Sequence, residues 1–399
     1  MDILAPSSLD KEGRTGTFKH MTKLDEIIRA EIRDKGPMRF DRFMELALYS
    51  PGLGYYAKMS GPSPVGRNGD FFTSVSAGPL FGRLLARQFF QMWAQLDKPS
   101  PFWIFEQGAH DGQLARDILE WCRDETPDFF EAIRYGIVDT SGGSSFRQKN
   151  GVVPELATRM TWFESFESIA ELKPTGIFLS NELVDAFPVR AIIYKSGDWK
   201  ESLVGLNEKG SLTWTESIIK DEQLRSEIMA RSIPEVEGYS TEINLRALDW
   251  MKAVARIFER GYVLTIDYGY PASVYYSEFR PGGTLCAYVK HHAVDGVLDE
   301  PGMRDLTAHV DFTALIRAGD EEGLKTLGMV DQQRFLMGVA HDELSGVTER
   351  MVKLQENLRT WNTLTHPEHL GATFYALVQA KNAPEHLDGL RFARPGGWE

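Results

Sequence analysis

Apolar positions along the chain recur with two periods. From Leu24 to Lys35, the residues Leu24, Ile27, Ile28 and Ile32 fall at helical spacing and stop at the breaker pair Gly36-Pro37. A second short helix is predicted over Phe40 to Tyr49, ending before Ser50-Pro51-Gly52. A third is predicted from Pro79 to Leu96, with Leu80, Leu84, Phe89 and Trp93 on one broad face. The pattern then changes. Phe102-Trp103-Ile104-Phe105 is wholly apolar and is followed by Glu106, as suits a strand covered on both faces. Similar runs follow at Tyr135 to Asp139, Gly176 to Ser180 and Tyr262 to Asp267. Helical segments such as Leu114 to Asp124 separate most of them. This alternation predicts βαβ units, and so an α/β, Rossmann-like fold with a parallel sheet. The polar ends of these strands share the carboxyl edge, where open α/β sheets bind ligands.

A different texture lies between the third and fourth runs. Arg190 to Lys195, Glu201 to Leu206 and Leu212 to Glu216 read as an antiparallel meander with turns at Ser196-Gly197 and Lys209-Gly210. A helix is expected from a Ser240/Thr241 cap to Arg260, stopping at Gly261. The expected organisation is an N-terminal flexible arm (1–20) and an N-terminal helical region with a lid loop (21–100). The first part of the Rossmann-like domain follows (101–189), then a β-rich and helical insertion (190–260). The second part (261–385) and a tail (386–399) complete the chain, and Thr373 to Ala380 is the expected final strand. The Gly-, Pro- and Ser-rich stretch Gly52 to Asn68 reads as a long surface loop, of a length found in functional lids or disordered segments, and Gly69 to Ser74 is the candidate lid.

Composition narrows the class. With 42% apolar and 25% charged residues, the 399-residue chain is of ordinary globular composition. A formal net charge of −13 argues against a sequence-independent grip on nucleic acid. No run approaches 18 apolar residues, so no membrane insertion is expected. Cys122 and Cys286 stand outside any CxxC spacing, which fits a reducing compartment. The first 19 residues carry Asp2, Asp10 and Glu12, unlike a secretory or transit leader, so a bacterial cytoplasm is expected, or a mitochondrial matrix for a eukaryotic source. His291, His292 and His309 lack metal-ligand spacing, and no metal is expected.

The candidate chemistry starts at Glu106-Gln107-Gly108-Ala109-His110-Asp111-Gly112, where a strand meets a helix. Glycines there let backbone N–H groups approach a ligand closely. The middle glycine of G-x-G-x-x-G is missing, which disfavours a nicotinamide oxidoreductase. An acid just ahead of the first glycine is a pattern of S-adenosylmethionine enzymes. Asp139, ending the second run, can accept hydrogen bonds from both ribose hydroxyls.

Further blocks occur in order: Gly36-Pro37, Tyr49 through Gly54-Tyr55-Tyr56, Gly69-Asp70-Phe71-Phe72-Thr73-Ser74 and Pro79-Leu80-Phe81-Gly82 before the loop. After it come Asn181 to Val189, Asp267-Tyr268-Gly269-Tyr270, Gly283-Thr284-Leu285, His291 and Asp305 to Phe312. Over residues 24–381 this series resembles the MidA-like family, which includes the mitochondrial complex I assembly-factor methyltransferase. The resemblance implies a class I methyltransferase fold and S-adenosyl-L-methionine as cofactor. It also implies a protein substrate, an arginine side chain on a respiratory complex I subunit. Two departures stand out: His110 and Asp111 replace a glycine and an arginine common in the family, and Ser74-Val75-Ser76 replaces a segment with a Pro-Glu pair.

On this reading the cofactor is held by Glu106, Gly108, Ala109, Gly112, Asp139, Thr140, Gly69, Thr73 and Asn181. Glu182 and Asp185, three apart at a strand's carboxyl end, are the expected catalytic residues with Asn181, since paired carboxylates orient a guanidinium. Tyr55, Tyr56, Asp267 and Tyr268 are expected to line the substrate cleft. Alternatives are a non-catalytic assembly chaperone that keeps the fold, and a small-molecule methyltransferase. The oligomeric state is open, with a homodimer one possibility.

Overall fold

The computed structural model describes residues 21–57, 73–139, 152–290, 292–341, 358–394 and 396. Gly69, Thr140, His291 and the 1–20 arm therefore lie outside the described residues, as does most of the expected lid.

Seven strands form the continuous path of the eight-stranded main sheet: β1 (Phe102–Gln107), β2 (Ile133–Val138), β3 (Met160–Phe163), β4 (Thr175–Asn181), β5 (Arg260–Tyr270), β6 (Lys325–Asp331) and β7 (Phe374–Lys381); the eighth, Val310–Asp311, pairs with the end of β5 off that path. Their order is 3-2-1-4-5-7-6. The pairs β2–β3, β1–β2, β1–β4 and β4–β5 are parallel, and β7 runs antiparallel between β5 and β6. The sheet is covered on both faces, which is why its strands read as continuous apolar runs. Helices Leu80–Gln95, Gln113–Glu125 and Gln332–Val339 bury Phe89, Leu119 and Phe335 against Ile104, Tyr135 and Ile177 on one face. Helices Leu245–Ile257 and Phe312–Asp320 bury Met251 and Leu315 against Phe105, Phe178 and Val263 on the other. The chain winds outward from β1 toward β3 and back past it to β4. The carboxyl ends of β1 and β4 are therefore the switch point of a doubly wound sheet, the edge at which such folds bind ligands.

A second sheet is formed by Arg190–Lys195, Asp198–Leu206, Leu212–Ile218 and Ser240–Ile243, joined by Met38–Arg39. Thus the meander expected from residue 190 onward is present, extended by a strand. Ser240 to Ile243 does not cap a helix. It pairs antiparallel with Arg190 to Ile193, and the helix begins at Leu245 under an Asn244 cap whose side chain accepts the N–H of Ala247. The β-branched pair Thr241 and Ile243 favours the strand. The same sheet packs on the first two helices: Phe43, Met44 and Ile28 share a buried cluster with Val189 and Val204. Among the described residues, no helix is long and apolar enough to cross a membrane.

Candidate active site at the carboxyl edge of the sheet

The loop after β1 repeats one backbone conformation at alternate residues. Gly108, His110 and Gly112 have φ of +80°, +47° and +77°. His110 therefore holds the left-handed backbone of the missing middle glycine. This costs a residue with a Cβ about 1–2 kcal/mol. The turn closes where Gly112 N–H donates to the Ala109 carbonyl at 2.6 Å. Asp111 accepts the N–H of Gln113, and Arg116 returns to the Asp111 carbonyl, so the start of helix Gln113–Glu125 is fastened from within the loop. Beneath it, Glu106 is buried and accepts the hydroxyl of Tyr135 at 2.6 Å. Burial pushes its carboxyl up to about 7. Glu106 thus faces the loop's underside, while Gln107 on the other face accepts the indole N–H of Trp250.

Asp139 follows β2, half-buried, with its N–H donating to the Phe163 carbonyl. Asn181 ends β4. Its Oδ1 is buried and has no hydrogen-bond partner. A buried acceptor left open at the switch point has the character expected of a site awaiting a donor-bearing ligand. Together with the left-handed loop and Asp139, this donor and acceptor set fits a nucleoside with a zwitterionic tail. Thr73 sits in a tight turn, its N–H donating to the Ser76 hydroxyl at 2.7 Å.

Next to the loop lies a cluster of carboxyls. Glu182 directly follows β4 in a left-handed conformation, φ +52°, and its N–H donates to the Ile266 carbonyl on β5. Its Oε1 accepts from Asn181 Nδ2 at 3.1 Å and from the N–H of Ser74 at 3.3 Å. Burial first, then the charge of Asp267, pushes its carboxyl up to about 8. Asp185, in the short turn Val184–Ala186, is buried and likewise pushed far up, by burial and by Asp267, Asp305 and Glu182. Asp267 lies below them, fully buried. Its Oδ2 accepts the N–H groups of Leu183, Val184 and Asp185 and its Oδ1 that of Tyr268. Burial raises it to about 7. Its acceptors are spent on the backbone of the turn that carries Asp185, so the expected substrate contact from Asp267 gives way to a cap on that turn.

The aromatic residues divide. Tyr55 is buried against helix Phe40–Tyr49, with its N–H on the Ala47 carbonyl, and is packing. Tyr56 donates its hydroxyl to both oxygens of buried Asp305, at 2.8 and 2.9 Å. Tyr49 donates to the Ala186 carbonyl at 2.8 Å and stacks on Tyr56. Tyr268 packs on Phe374 and neighbours Glu182. Sequence reasoning gave Tyr49, Ser74, Gln332 and Asp305 no role. The blocks around Tyr49, Ser74 and Asp305 were visible. No local signal marked Gln332, because its neighbours come from distant segments.

This strand order and this carboxyl-edge loop define a class I methyltransferase. Residues 84–330, more than half of the chain, match the family described as "Putative S-adenosyl-L-methionine-dependent methyltransferase". A protein from Burkholderia thailandensis, solved bound to S-adenosyl-homocysteine, superposes with a TM-score of 0.82 at 29% identity, covering 93% of this chain and 95% of that one. The mitochondrial "Protein arginine methyltransferase NDUFAF7 homolog" of Drosophila melanogaster is 27% identical over 92% of this chain and 86% of its own. The zebrafish (Danio rerio) NDUFAF7 is 29% identical over 87% and 84%. The chain belongs to this family of S-adenosyl-L-methionine-dependent methyltransferases, and S-adenosyl-L-methionine is its cofactor.

Proposed function

We propose that the chain methylates an arginine side chain of a protein. The observation that carries this is the carboxyl cluster of Glu182, Asp185 and Asp305 around the turn after β4. Burial and mutual repulsion hold Glu182 and Asp185 protonated above the usual carboxylate range. A guanidinium entering there supplies the missing positive charge, and its planar fork of N–H donors matches paired carboxylates. Three relatives' names support the acceptor type. A subunit of a respiratory complex as the methylated protein follows from the family resemblance. The unpaired Cys122 and Cys286 support a reducing compartment such as the cytoplasm.

The cofactor, when bound, supplies a sulfonium methyl as electrophile. Around it, the backbone N–H groups of Gly108 and Ala109 suit its carboxylate end, with Gly112 closing the loop beneath them. Glu106 sets the field under its amino end. Asp139, with Thr140, suits the ribose, and the open Oδ1 of Asn181 suits a donor. Thr73 stands on the described turn whose next residue, Ser74, reaches Glu182. The entering guanidinium would draw Glu182 and Asp185 into their charged forms, releasing their protons to solvent; both carboxylates would then orient it, and Glu182 would accept the proton that the attacking nitrogen sheds as the methyl passes from sulfur to nitrogen. Orientation of this kind is worth roughly 7–11 kcal/mol of barrier.

The test is label transfer from methyl-labelled S-adenosylmethionine into a whole-cell lysate, with the modified residue mapped by mass spectrometry. Methylarginine is the expected product; label confined to lysine or to metabolites overturns the reading. Glu182→Gln should lower incorporation about a hundredfold or more. Calorimetric affinity for S-adenosylhomocysteine should stay within a few-fold, and equal loss of both would move Glu182 into the cofactor's own shell.

A further inference from the structure

Glu182 keeps an uncommon backbone conformation and a defined side-chain direction, and its partners lead away from the site. The N–H of Ser74 donates to Glu182 Oε1 at 3.3 Å. That N–H belongs to the turn Thr73 to Ala77, which is braced internally: Ser76 donates its hydroxyl to the Thr73 carbonyl at 2.9 Å, and Ala77 N–H donates to the same carbonyl at 3.2 Å. Besides Ala77, which packs in the core and whose carbonyl accepts the Thr360 hydroxyl at 3.3 Å, a fully buried side-chain contact ties the turn to the body of the protein. Ser74 Oγ donates to Gln332 Oε1 at 2.9 Å, and both side chains are at most 1% exposed. Gln332 opens helix Gln332–Val339, and its Nε2 donates to the Leu364 carbonyl at 3.0 Å. A chain of hydrogen bonds thus links Leu364, Gln332, Ser74 and Glu182, with Ser74 donating toward both Gln332 and Glu182. Every member is satisfied, the condition under which a buried polar network fixes a geometry rather than destabilising the fold.

We propose that Gln332 and Ser74 are positioning residues for Glu182: Gln332 sets where the Thr73–Ala77 turn sits, and the turn's N–H fixes the carboxyl that faces the methyl acceptor. This deepens the arginine reading and rests on it for the carboxyl's role, but not for its geometry. The groups facing Glu182 are Asn181 and Asp185 on its own segment, Asp267 and Tyr268 on β5, and Ser74 from the turn. Of these, Asp267 and Asp185 disfavour the charged form, while Ser74, Asn181 and Tyr268 favour it. Freeing the turn removes one of the three favourable contacts.

The experiment follows the Glu182 carboxyl by carbon-13 NMR in protein labelled at glutamate side chains, the resonance being identified by its loss in Glu182→Gln. In Gln332→Met, of similar shape but without hydrogen-bonding groups, the Glu182 titration should move upward by about half a pH unit or more. Ser74→Ala keeps the N–H but loses the tie to Gln332, and should shift it the same way. The double variant should do no more than either single change, as expected of two residues on one path. Asp331→Ala is the control, because it removes the cap that accepts the Arg334 N–H on the same helix without touching Ser74. It should lower the melting temperature and leave the titration alone. An unmoved titration in Gln332→Met and Ser74→Ala, or an equal shift in Asp331→Ala, overturns the proposal. If Gln332→Met fails to fold, Ser74→Ala decides alone. Full label incorporation by Glu182→Gln would instead sink the functional reading and leave the titration result standing.

Discussion

His110 shows how a site can keep its backbone while changing its side chain. Its φ of +47° sits between Gly108 at +80° and Gly112 at +77°, so the loop has the shape of three glycines with only two. The two kinds of position respond differently to substitution. At Gly108, a Cβ would lie 3.2 Å from Leu183 Cδ1, and a β-branched side chain adds strain at a left-handed φ. Gly108→Val should therefore weaken binding of S-adenosylhomocysteine at least tenfold by calorimetry, about 1.4 kcal/mol. His110→Gly should leave affinity within a few-fold, because relief of strain is offset by the greater freedom of glycine in the unfolded chain. A gain of more than tenfold in that variant would mean that the imidazole occupies cofactor space.

At the scale of elements, the turn Val184–Ala186 depends on one side chain from the neighbouring strand. Asp267 supplies four backbone N–H groups with acceptors, three at the turn, of which Val184 N–H is closest at 2.8 Å, and that of Tyr268 on its own strand, also at 2.8 Å. Asp267→Asn puts an NH₂ where one oxygen accepted, leaving at least one buried donor facing another. The expected cost is about 1–3 kcal/mol, read as a lower urea midpoint with an unchanged slope. Methyl transfer should fall with it, since Asp185 rides on that turn. A midpoint equal to wild type would show that the turn holds itself. The same element shows what the chain reveals by itself. Phe40–Tyr49 and Arg190–Lys195 were legible to the residue, because periodicity and Gly/Pro breaks mark them. The four core strands were legible from apolar runs covered on both sides. Met160–Phe163 and Lys325–Asp331 were not, because edge strands such as these carry polar residues and weak alternation. The carboxyls of the site were legible as residues at strand ends, but the division of labour between Asp267 as cap and Asp185 on the turn was not. It depends on Asp267 being fully buried beneath a turn that sequence spacing does not describe.

For the whole molecule, a chain of net charge −13 that buries carboxyls acquires a particular response to pH. Glu106 and Asp267 are held up to about 7, Asp117 to about 6 and Glu182 to about 8, with Asp185 and Glu242 also raised, burial being the largest cause at each. The folded chain therefore binds more protons than the unfolded chain between about pH 4.5 and 8. Stability from these groups is complete below the unfolded carboxylate range and is lost as pH rises through their folded values. Carboxyls such as Asp221 and Glu227, lowered by Arg190 and Arg231, act the other way and matter only below that window. The melting temperature of the free protein should thus decline from about pH 5.5 to 8.5, by roughly 2–4 °C for each kcal/mol lost. A carboxyl raised tenfold in proton affinity on folding contributes about 1.4 kcal/mol, less than additively for neighbours such as Glu182 and Asp267. Surface repulsion would give a similar trend, but salt separates the two. Half-molar salt screens exposed charges and leaves buried ones largely unscreened, so the decline should persist. Glu182→Gln has no proton to lose and should flatten the alkaline part of the curve above pH 7. A decline that salt abolishes, or that Glu182→Gln leaves as steep as wild type, would remove the buried carboxyls as its cause.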